Sequence, residues 1–265
     1  MLTESQRERI EIVLVAPRNP LNIGAVARAM ANFGFSHLAV VSPYIPHWRE
    51  ARSAVGAPEL LRSAREVATL ADAVTDRTLV IGTGTLTHHK PEQPVISLPA
   101  LAPVVAHELD RDGRIALVFG PEKHGLTRKD LSWCQAFVEI PTDVRQPSMN
   151  LGQAAAVCLY ELATRVSTSD TETERARNAP PLQQDVTDPT VSGDLDILAA
   201  LVDEVMVAAN YSPLAMREAN RHTVRLLLRR LKLHAADQRQ ILGLFRRILW
   251  RLRRSPKRNV TNRLF

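Results

Sequence analysis

Five short, mostly apolar segments constrain the fold of this chain more than any other feature. They are residues 11–16, 38–42, 79–82, 115–120 and 136–140. Runs of this length are typical of strands that are buried on both faces. Helical patterns alternate with them, at about residues 22–33, 48–74, 101–109, 128–135 and 153–162, and Gly34 is placed to end the first helix. The alternation predicts an α/β domain with a mainly parallel sheet covered by helices.

The character of the sequence changes after residue 165. Residues 166–193 are rich in Ser, Thr, Asp, Glu and Pro and have no apolar periodicity, which is typical of a linker. From residue 194 to residue 265, apolar residues again recur at helical spacing. We therefore predict three parts: an α/β domain over 1–165, a linker over 166–193, and a small all-α domain over 194–265.

Positive charge is concentrated in the last 45 residues. Residues 1–165 contain 17 Lys and Arg against 17 Asp and Glu, whereas residues 221–265 contain 14 against one. Such a surface indicates a polyanionic partner. The candidate contacts are Arg246, Arg247, Arg251 and Arg254, with Trp250 available for stacking. A second predicted charged face comprises Arg221, Arg225, Arg229, Arg230 and Lys232.

The sequence also bears on the cellular compartment. No apolar run approaches the roughly 20 residues that a membrane-spanning helix needs, and the charged N-terminus lacks a signal-peptide core. Cys134 and Cys158 lie in apolar segments and have no metal-ligand spacing, so we expect buried free thiols in a reducing environment. These features predict a cytoplasmic protein with no metal site.

Three polar loops follow predicted strands, and parallel strands bring such loops to one edge of the sheet. The first contains Asn22, Gly24 and Arg28 around a helix start, where free N–H groups favour anions. The second contains Gly120 and Glu122. Taken singly, Arg28 is best explained as a surface arginine on a capped helix, whereas Glu122 is equally explained as a solvated carboxylate or as a partner of Arg28 or of a substrate hydroxyl. The first loop is not GxGxxG, and no acidic residue ends the second strand, so a dinucleotide-binding fold is disfavoured.

The third loop, residues 142–150, ends in Ser148 and Asn150, either of which is placed to cap the following helix. Alone, it reads as an ordinary connection between a strand and a helix. Together, the three loops predict a ligand site.

The motifs Asn22-x-Gly24-x-x-x-Arg28, Phe119-Gly120-x-Glu122-x-x-Gly125-Leu126 and Ser148-x-Asn150-Leu151 resemble, in order and spacing, those of the SpoU/TrmH family of RNA 2′-O-methyltransferases. The resemblance covers about residues 10–163. It implies a SPOUT-like fold with a C-terminal trefoil knot over roughly residues 120–162, and a homodimer. It also implies S-adenosylmethionine as the methyl donor. The residues that would hold the donor are Thr83, Gly84, Thr85, Gly120, Ile140, Pro147, Ser148 and Met149.

The same resemblance implies roles in transferring a methyl group to a ribose 2′-hydroxyl. Arg28 would act on the hydroxyl and a substrate phosphate, and Glu122 would position Arg28. Asn22 and Asn150 would fix the loops and the ribose, and Ser148 would lie at the hydroxyl or the donor. Because an arginine is almost always protonated, an electrostatic and orienting role for Arg28 is favoured over that of a base.

An early first motif followed by a linker and a basic helical domain resembles the branch that methylates the ribose at position 32 in the tRNA anticodon loop. The loop after the third strand departs from that branch, because His88, His89 and Lys90 stand where arginines are expected. His88 and Lys90 join Arg28 as candidate RNA contacts, and the choice of target nucleotide stays open. The alternatives are the same reaction on ribosomal RNA and a non-catalytic knotted RNA-binding protein.

Overall fold

The computed structural model of the chain describes residues 2–86, 91–164 and 189–254. It contains a seven-stranded sheet with the order β3-β2-β1-β6-β4-β7-β5, and every neighbouring pair is parallel. The strands are β1 Ile10–Val15, β2 His37–Val41, β3 Arg65–Val67, β4 Leu79–Gly84, β5 Val95–Ser97, β6 Ile115–Phe119 and β7 Ala136–Glu139. The predicted parallel α/β sheet is confirmed.

Seven helices accompany this sheet within the described residues before position 165. They are α1 Glu4–Arg7, α2 Pro20–Phe33, α3 Pro58–Ser63, α4 Leu70–Val74, α5 Leu101–Leu109, α6 Arg128–Leu131 and α7 Leu151–Thr164. Helix α2 begins where the Asn19 side chain accepts a hydrogen bond from the N–H of Leu21, with Pro20 in the first turn. It ends at Gly34, which has the left-handed backbone that favours glycine (φ 74°).

The sequence prediction is wrong over residues 48–74, which were expected to be mostly helical. Only α3 and α4 are α-helical there, and Trp48–Glu50 forms a single 3₁₀ turn. Between α3 and α4 lies β3, whose Arg65 and Glu66 side chains are exposed. Strand β5 was also missed. Both are three-residue strands at the edges of the sheet, where exposure removes the apolar run that marks a buried strand.

The core lies on both faces of the sheet. Ile12 and Leu14 of β1 pack in the cluster that holds α2, α5 and α7, whereas Val13 and Val15 pack on the opposite face with α4 and α6. This alternation follows from the two-residue period of a strand. The two free cysteines are buried, as predicted, and burial raises the pKa of each thiol to about 12.

Beyond the α/β part, the described residues form three further α-helices, α8 Ser192–Ala208, α9 Arg217–Arg230 and α10 Ala235–Arg254. They pack around Leu198, Val224 and Leu228, which confirms the predicted helical region. Helix α8 begins two residues before the predicted domain start. Most of the predicted linker, residues 166–188, lies outside the described residues, and the trefoil knot stays a prediction of the family resemblance.

The predicted charged face on α9 is wrong for two of its arginines, Arg225 and Arg229. The guanidinium of Arg229 is 2% exposed and donates to the carbonyl of Trp133 (3.2 Å) and to Asp196 (3.0 Å). Arg225 lies 4.0 Å over the Trp133 ring and donates to Ser132. These two arginines therefore join the helical region to the α/β domain. The charged face of α9 contains a buried Arg229 and a half-buried Arg225 because the helix packs between α8 and the residues that follow α6.

No helix among the described residues combines the length and the apolar character that crossing a bilayer demands.

Candidate functional site

A cavity of about 350 Å³ opens at the carboxyl ends of β4, β6 and β7. It is lined by Thr83, Gly84, Thr85, Phe119, Gly120, Pro121, Glu122, Lys123, His124, Gly125, Ile140, Thr142, Pro147, Ser148, Met149, Leu151 and Ala154. All eight residues predicted to hold the donor are in this lining. The structure thus brings together loops that are up to 66 positions apart in the sequence, from Thr83 to Met149.

Hydrogen bonds between the strands fix the walls of the cavity. The N–H of Ile140 donates to the carbonyl of Gly84 at 3.0 Å, which extends the pairing of β7 with β4 beyond the strand ends. The Thr83 hydroxyl donates to the carbonyl of Val118 at 3.0 Å and so ties β4 to β6. The Thr142 hydroxyl donates to the carbonyl of Pro147 at 2.9 Å and closes the third loop.

Gly120 allows the loop after β6 to fold back on itself. A Cβ at this position would lie 2.2 Å from the carbonyl carbon of Gly125 and 2.3 Å from the N of Leu126. No other residue fits this close approach of backbone to backbone. This turn of the backbone places Gly120 and Gly125 in the cavity wall, where their main-chain groups are exposed to a ligand.

Glu122 lies at the mouth of the cavity and joins it to the start of α2. Its carboxylate accepts hydrogen bonds from the backbone N–H groups of Arg18 and Asn19, both at 3.1 Å, and from the Asn22 side chain at 2.8 Å. Partial burial acts to raise the pKa of this carboxyl, but the hydrogen bonds from Asn22 and from the backbone lower it below its ordinary value. Glu122 is therefore an ionised acceptor that organises the first loop.

Asn22 extends this hydrogen-bond network to the third loop, residues 142–150. Its side-chain oxygen accepts a hydrogen bond from the Asn150 amide at 2.9 Å. The Asn150 side-chain oxygen in turn accepts from the N–H of Gly152 at 2.9 Å, so Asn150 rather than Ser148 caps α7. A single chain of polar side chains, Glu122–Asn22–Asn150, connects the loops after β1, β6 and β7.

Arg28 is exposed on α2, and the expected contact between Glu122 and Arg28 is wrong. Within the described ranges Arg28 makes neither a hydrogen bond nor an ion pair. It lies six residues beyond Asn22, which corresponds to roughly 9 Å along a helix axis. Glu122 contacts Asn22 and the backbone just before α2, whereas Arg28 lies in the third turn of that helix.

The candidate RNA contacts outside the cavity fall into two groups. His88 and Lys90 lie outside the described residues. Arg246, Arg247, Arg251 and Arg254 are exposed on α10, as expected of a surface that binds an anion. Trp250, predicted to be free for stacking, already has Arg247 and Arg254 at 4.3 Å from its ring centroid.

Sequence reasoning missed several parts of the site. Lys123, His124 and Thr142 line the cavity, and the backbone of Arg18 and Asn19 holds Glu122. The Asn19-Pro20 pair was a usable signal, because Asn at a helix cap followed by Pro marks the first turn. The described residues contain no group of three or more His, Cys, Asp or Glu side chains that could hold a metal ion.

Residues 9–160 match the SpoU rRNA Methylase family, and this chain belongs to it. It is similar to the tRNA (cytidine/uridine/adenosine-2′-O-)-methyltransferase TrmJ of Pseudomonas aeruginosa, with 40% identity over 156 residues. That match covers 58% of this chain and 60% of the relative, so the chain spans about three fifths of the length of this relative.

Two further similarities extend over both parts of the chain. The tRNA (cytidine/uridine-2′-O-)-methyltransferase TrmJ of Yersinia pestis is 29% identical over 249 residues, which cover 94% of this chain and 93% of that protein. The crystal structure of TrmJ from Z. mobilis superposes with a TM-score of 0.76 at 25% identity, and covers 90% of this chain and 98% of that one. The helical region is therefore part of the shared architecture.

Proposed function

We propose that this protein is an S-adenosylmethionine-dependent tRNA ribose 2′-O-methyltransferase that acts on the pyrimidine nucleotide at position 32 of the anticodon loop. The observation that carries the proposal is the cavity at the carboxyl edge of the sheet, where the eight donor-binding candidates meet the Glu122–Asn22–Asn150 network. The names of the Pseudomonas and Yersinia relatives support this reaction class. We also propose the three-part division at residues 1–165, 166–193 and 194–265.

The cavity fits the donor chemically. Ile140, Met149 and Leu151 offer apolar contacts for a purine, while Gly84, Gly120 and Gly125 bring main-chain groups to its wall. An adenine held by apolar side chains and backbone groups needs no charged partner. When bound, the donor supplies a methyl group on a positively charged sulfur.

The residues of this chain would orient the acceptor ribose and stabilise the charge that develops on its 2′-oxygen. Arg28 is exposed, cationic and without an intramolecular partner among the described residues, so its guanidinium is available for a phosphate and for the developing alkoxide. Ser148 is exposed in the cavity lining and can hydrogen-bond the hydroxyl. The hydrogen bond between Asn22 and Asn150 holds the starts of α2 and α7 together and so would fix the distance between donor and acceptor.

We propose a homodimer that works in the cytoplasm. Leu21 on α2 and Tyr160 on α7 are 54% and 53% exposed, and a second copy of the chain would cover these apolar side chains on the two helices that flank the site. Sedimentation of the purified protein at several concentrations tests this association, and a monomer at every concentration would contradict it.

The exposed arginines of α10 would bind the phosphate backbone of the tRNA. Replacing Arg246, Arg247, Arg251 and Arg254 together by Gln should weaken tRNA binding and reduce its salt dependence, because each lost phosphate contact lowers the slope by about one. The control replaces Arg49 and Arg62, which pair with Glu66 and Glu59 in the α/β domain, and should leave the slope unchanged.

The decisive experiment incubates the purified protein with unmodified tRNA transcripts and labelled S-adenosylmethionine, and then maps ribose methylation by nucleotide. Label at position 32 is the expected result. Label at another tRNA position would keep the reaction and overturn the target, and label on ribosomal RNA alone would reassign the substrate. Donor binding without transfer to either RNA would leave a non-catalytic RNA-binding protein.

A further inference from the structure

Two consecutive strands, β1 and β2, are each followed by a residue in the same uncommon backbone conformation. Ala16, directly after β1, and Ser42, directly after β2, both have a left-handed backbone, with φ of 44° and 42°. Neither is a glycine, so each conformation is unfavourable by itself and must be held by its surroundings. The N–H of Ala16 donates to the carbonyl of Val41 at 2.8 Å, and that of Ser42 donates to Val67 at 3.0 Å.

The chain segments after these two strands bring Arg18 and Tyr44 together at the same edge of the sheet. The N–H of Tyr44 donates to the carbonyl of Pro17 at 3.1 Å, which joins the two turns to each other. The guanidinium carbon of Arg18 lies 5.7 Å from the centroid of the Tyr44 ring. Although Arg18 lies over this ring, Tyr44 remains 75% exposed, so much of its aromatic surface is open to solvent.

The pair is connected to the cavity through the backbone of Arg18. The N–H of Arg18 donates to Glu122 at 3.1 Å, and Glu122 lines the cavity. Glu122 and Arg18 therefore connect the cavity to the Tyr44 ring. An exposed aromatic ring that lies beside a cation and is connected to the cavity has the chemistry of a stacking surface for an unpaired base.

We propose that Arg18 and Tyr44 bind the RNA nucleotide next to the one that is modified, with the base stacked on Tyr44 and its phosphate on Arg18. This inference rests on the proposed function and deepens it, since it assigns substrate recognition to two residues outside the three sequence motifs. By stacking on this base, Tyr44 would hold the RNA strand that carries the acceptor ribose. Single-stranded loops expose bases for such stacking, whereas paired bases in an RNA helix do not.

The test uses the full-length protein, with an RNA hairpin of the anticodon stem-loop as the binding probe and full-length tRNA for turnover. Tyr44→Ala should weaken hairpin binding about tenfold, in line with the loss of one base–aromatic stack. Its KM for tRNA should rise in the same proportion, while its affinity for S-adenosylmethionine stays unchanged. Tyr44→Phe should restore both values, because the ring and not the hydroxyl makes the contact. Tyr44→Leu, which keeps an apolar side chain at the same position but removes the aromatic ring, should bind as weakly as Tyr44→Ala.

Arg18→Gln tests the phosphate contact separately, because it retains the backbone N–H that holds Glu122. The slope of binding against salt should fall by about one for Arg18→Gln and stay unchanged for Tyr44→Ala. Wild-type binding by both Tyr44→Ala and Arg18→Gln, in a protein that methylates tRNA, would overturn the stacking surface and leave the proposed function intact. A wild-type protein that neither binds nor methylates RNA would overturn both.

Discussion

At the scale of single residues, the most informative contacts are those of Glu122. A carboxylate that accepts two backbone N–H groups and one amide makes three hydrogen bonds at the start of α2. Sequence reasoning identified the residue from its place in a loop after a strand, but it assigned the wrong partner. The partner depends on which turn of α2 faces the loop, and that is set by packing rather than by the motif.

The lowered pKa of Glu122 makes part of the stability dependent on pH. A carboxyl whose pKa is depressed on folding contributes stability above its ordinary pKa of 4.5, and the contribution is lost as pH falls through the folded value. We expect the free energy of unfolding of the wild type to decrease more steeply between pH 6 and acidic pH than that of Glu122→Gln. Urea unfolding at a series of pH values measures this difference, and parallel curves would show that the carboxylate has no such role.

Arg28 supports a prediction about turnover. Arg28→Ala should reduce kcat by about 10²- to 10³-fold, the usual effect of removing one group that stabilises developing charge. Because Arg28 is outside the cavity lining, donor affinity measured by calorimetry should stay close to that of the wild type. An equal loss of donor binding would place Arg28 in the donor pocket instead.

At the scale of elements, the close packing of α2 on α7 depends on Gly152, because a glycine has no Cβ. A Cβ on Gly152 would lie 2.6 Å from the Cβ of Ala25, so the two helices touch through small residues. Asn22 and Asn150 stand at the start of the same pair of helices. The packing of α2 on α7 therefore sets the distance across which the site is assembled.

Gly152→Ala and Gly243→Ala form a matched pair of substitutions. Gly152→Ala should lower the free energy of unfolding by about 1–3 kcal/mol through overpacking. Gly243 lies inside α10 with nothing within 4 Å of an added Cβ, so Gly243→Ala should raise the free energy by about 0.5–1 kcal/mol. Denaturant unfolding measures both, and a stabilising Gly152→Ala would contradict the close helix contact.

The elements also show which parts of the fold can be predicted from the sequence. Strands such as β1 and β6 are predictable because all their residues are buried, and the start of α2 is predictable from Asn19 and Pro20. Strands β3 and β5 are not, since Arg65 and Glu66 occupy two of the three positions in β3 and Val95 of β5 is 42% exposed. Their strand conformation comes from pairing with β2 and β7, which is a long-range property.

At the scale of the whole molecule, two arginines of the charged face on α9, Arg225 and Arg229, attach the helical region to the α/β domain. Charge counting treats Arg225, Arg229 and Arg230 alike, because burial depends on tertiary packing that no helical period reveals. In the structure Arg229 is buried on Trp133 and Asp196, whereas Arg230 is exposed. Neighbouring cations on one helix thus have different roles.

This difference predicts unequal losses of stability for substitutions at Arg229 and Arg230. Arg229→Met should lower the free energy of unfolding by about 3–5 kcal/mol, because it leaves Asp196 without its closest cation. Arg230→Met removes the same charge from an exposed position and should change stability by less than about 0.5 kcal/mol. Hydrogen exchange of α8 and α9 shows whether the loss is local to the helical region. Equal stability of the two variants would contradict the docking role of Arg229.

The two buried cysteines have a practical consequence for experiments on this protein. Thiol reagents react with the thiolate, and a pKa of about 12 leaves almost none of it in Cys134 or Cys158 at neutral pH. A single cysteine introduced on the exposed face of α10 would therefore take up a maleimide dye selectively in the native protein. Fluorescence from that dye can follow the helical region as RNA binds, with both natural cysteines left in place.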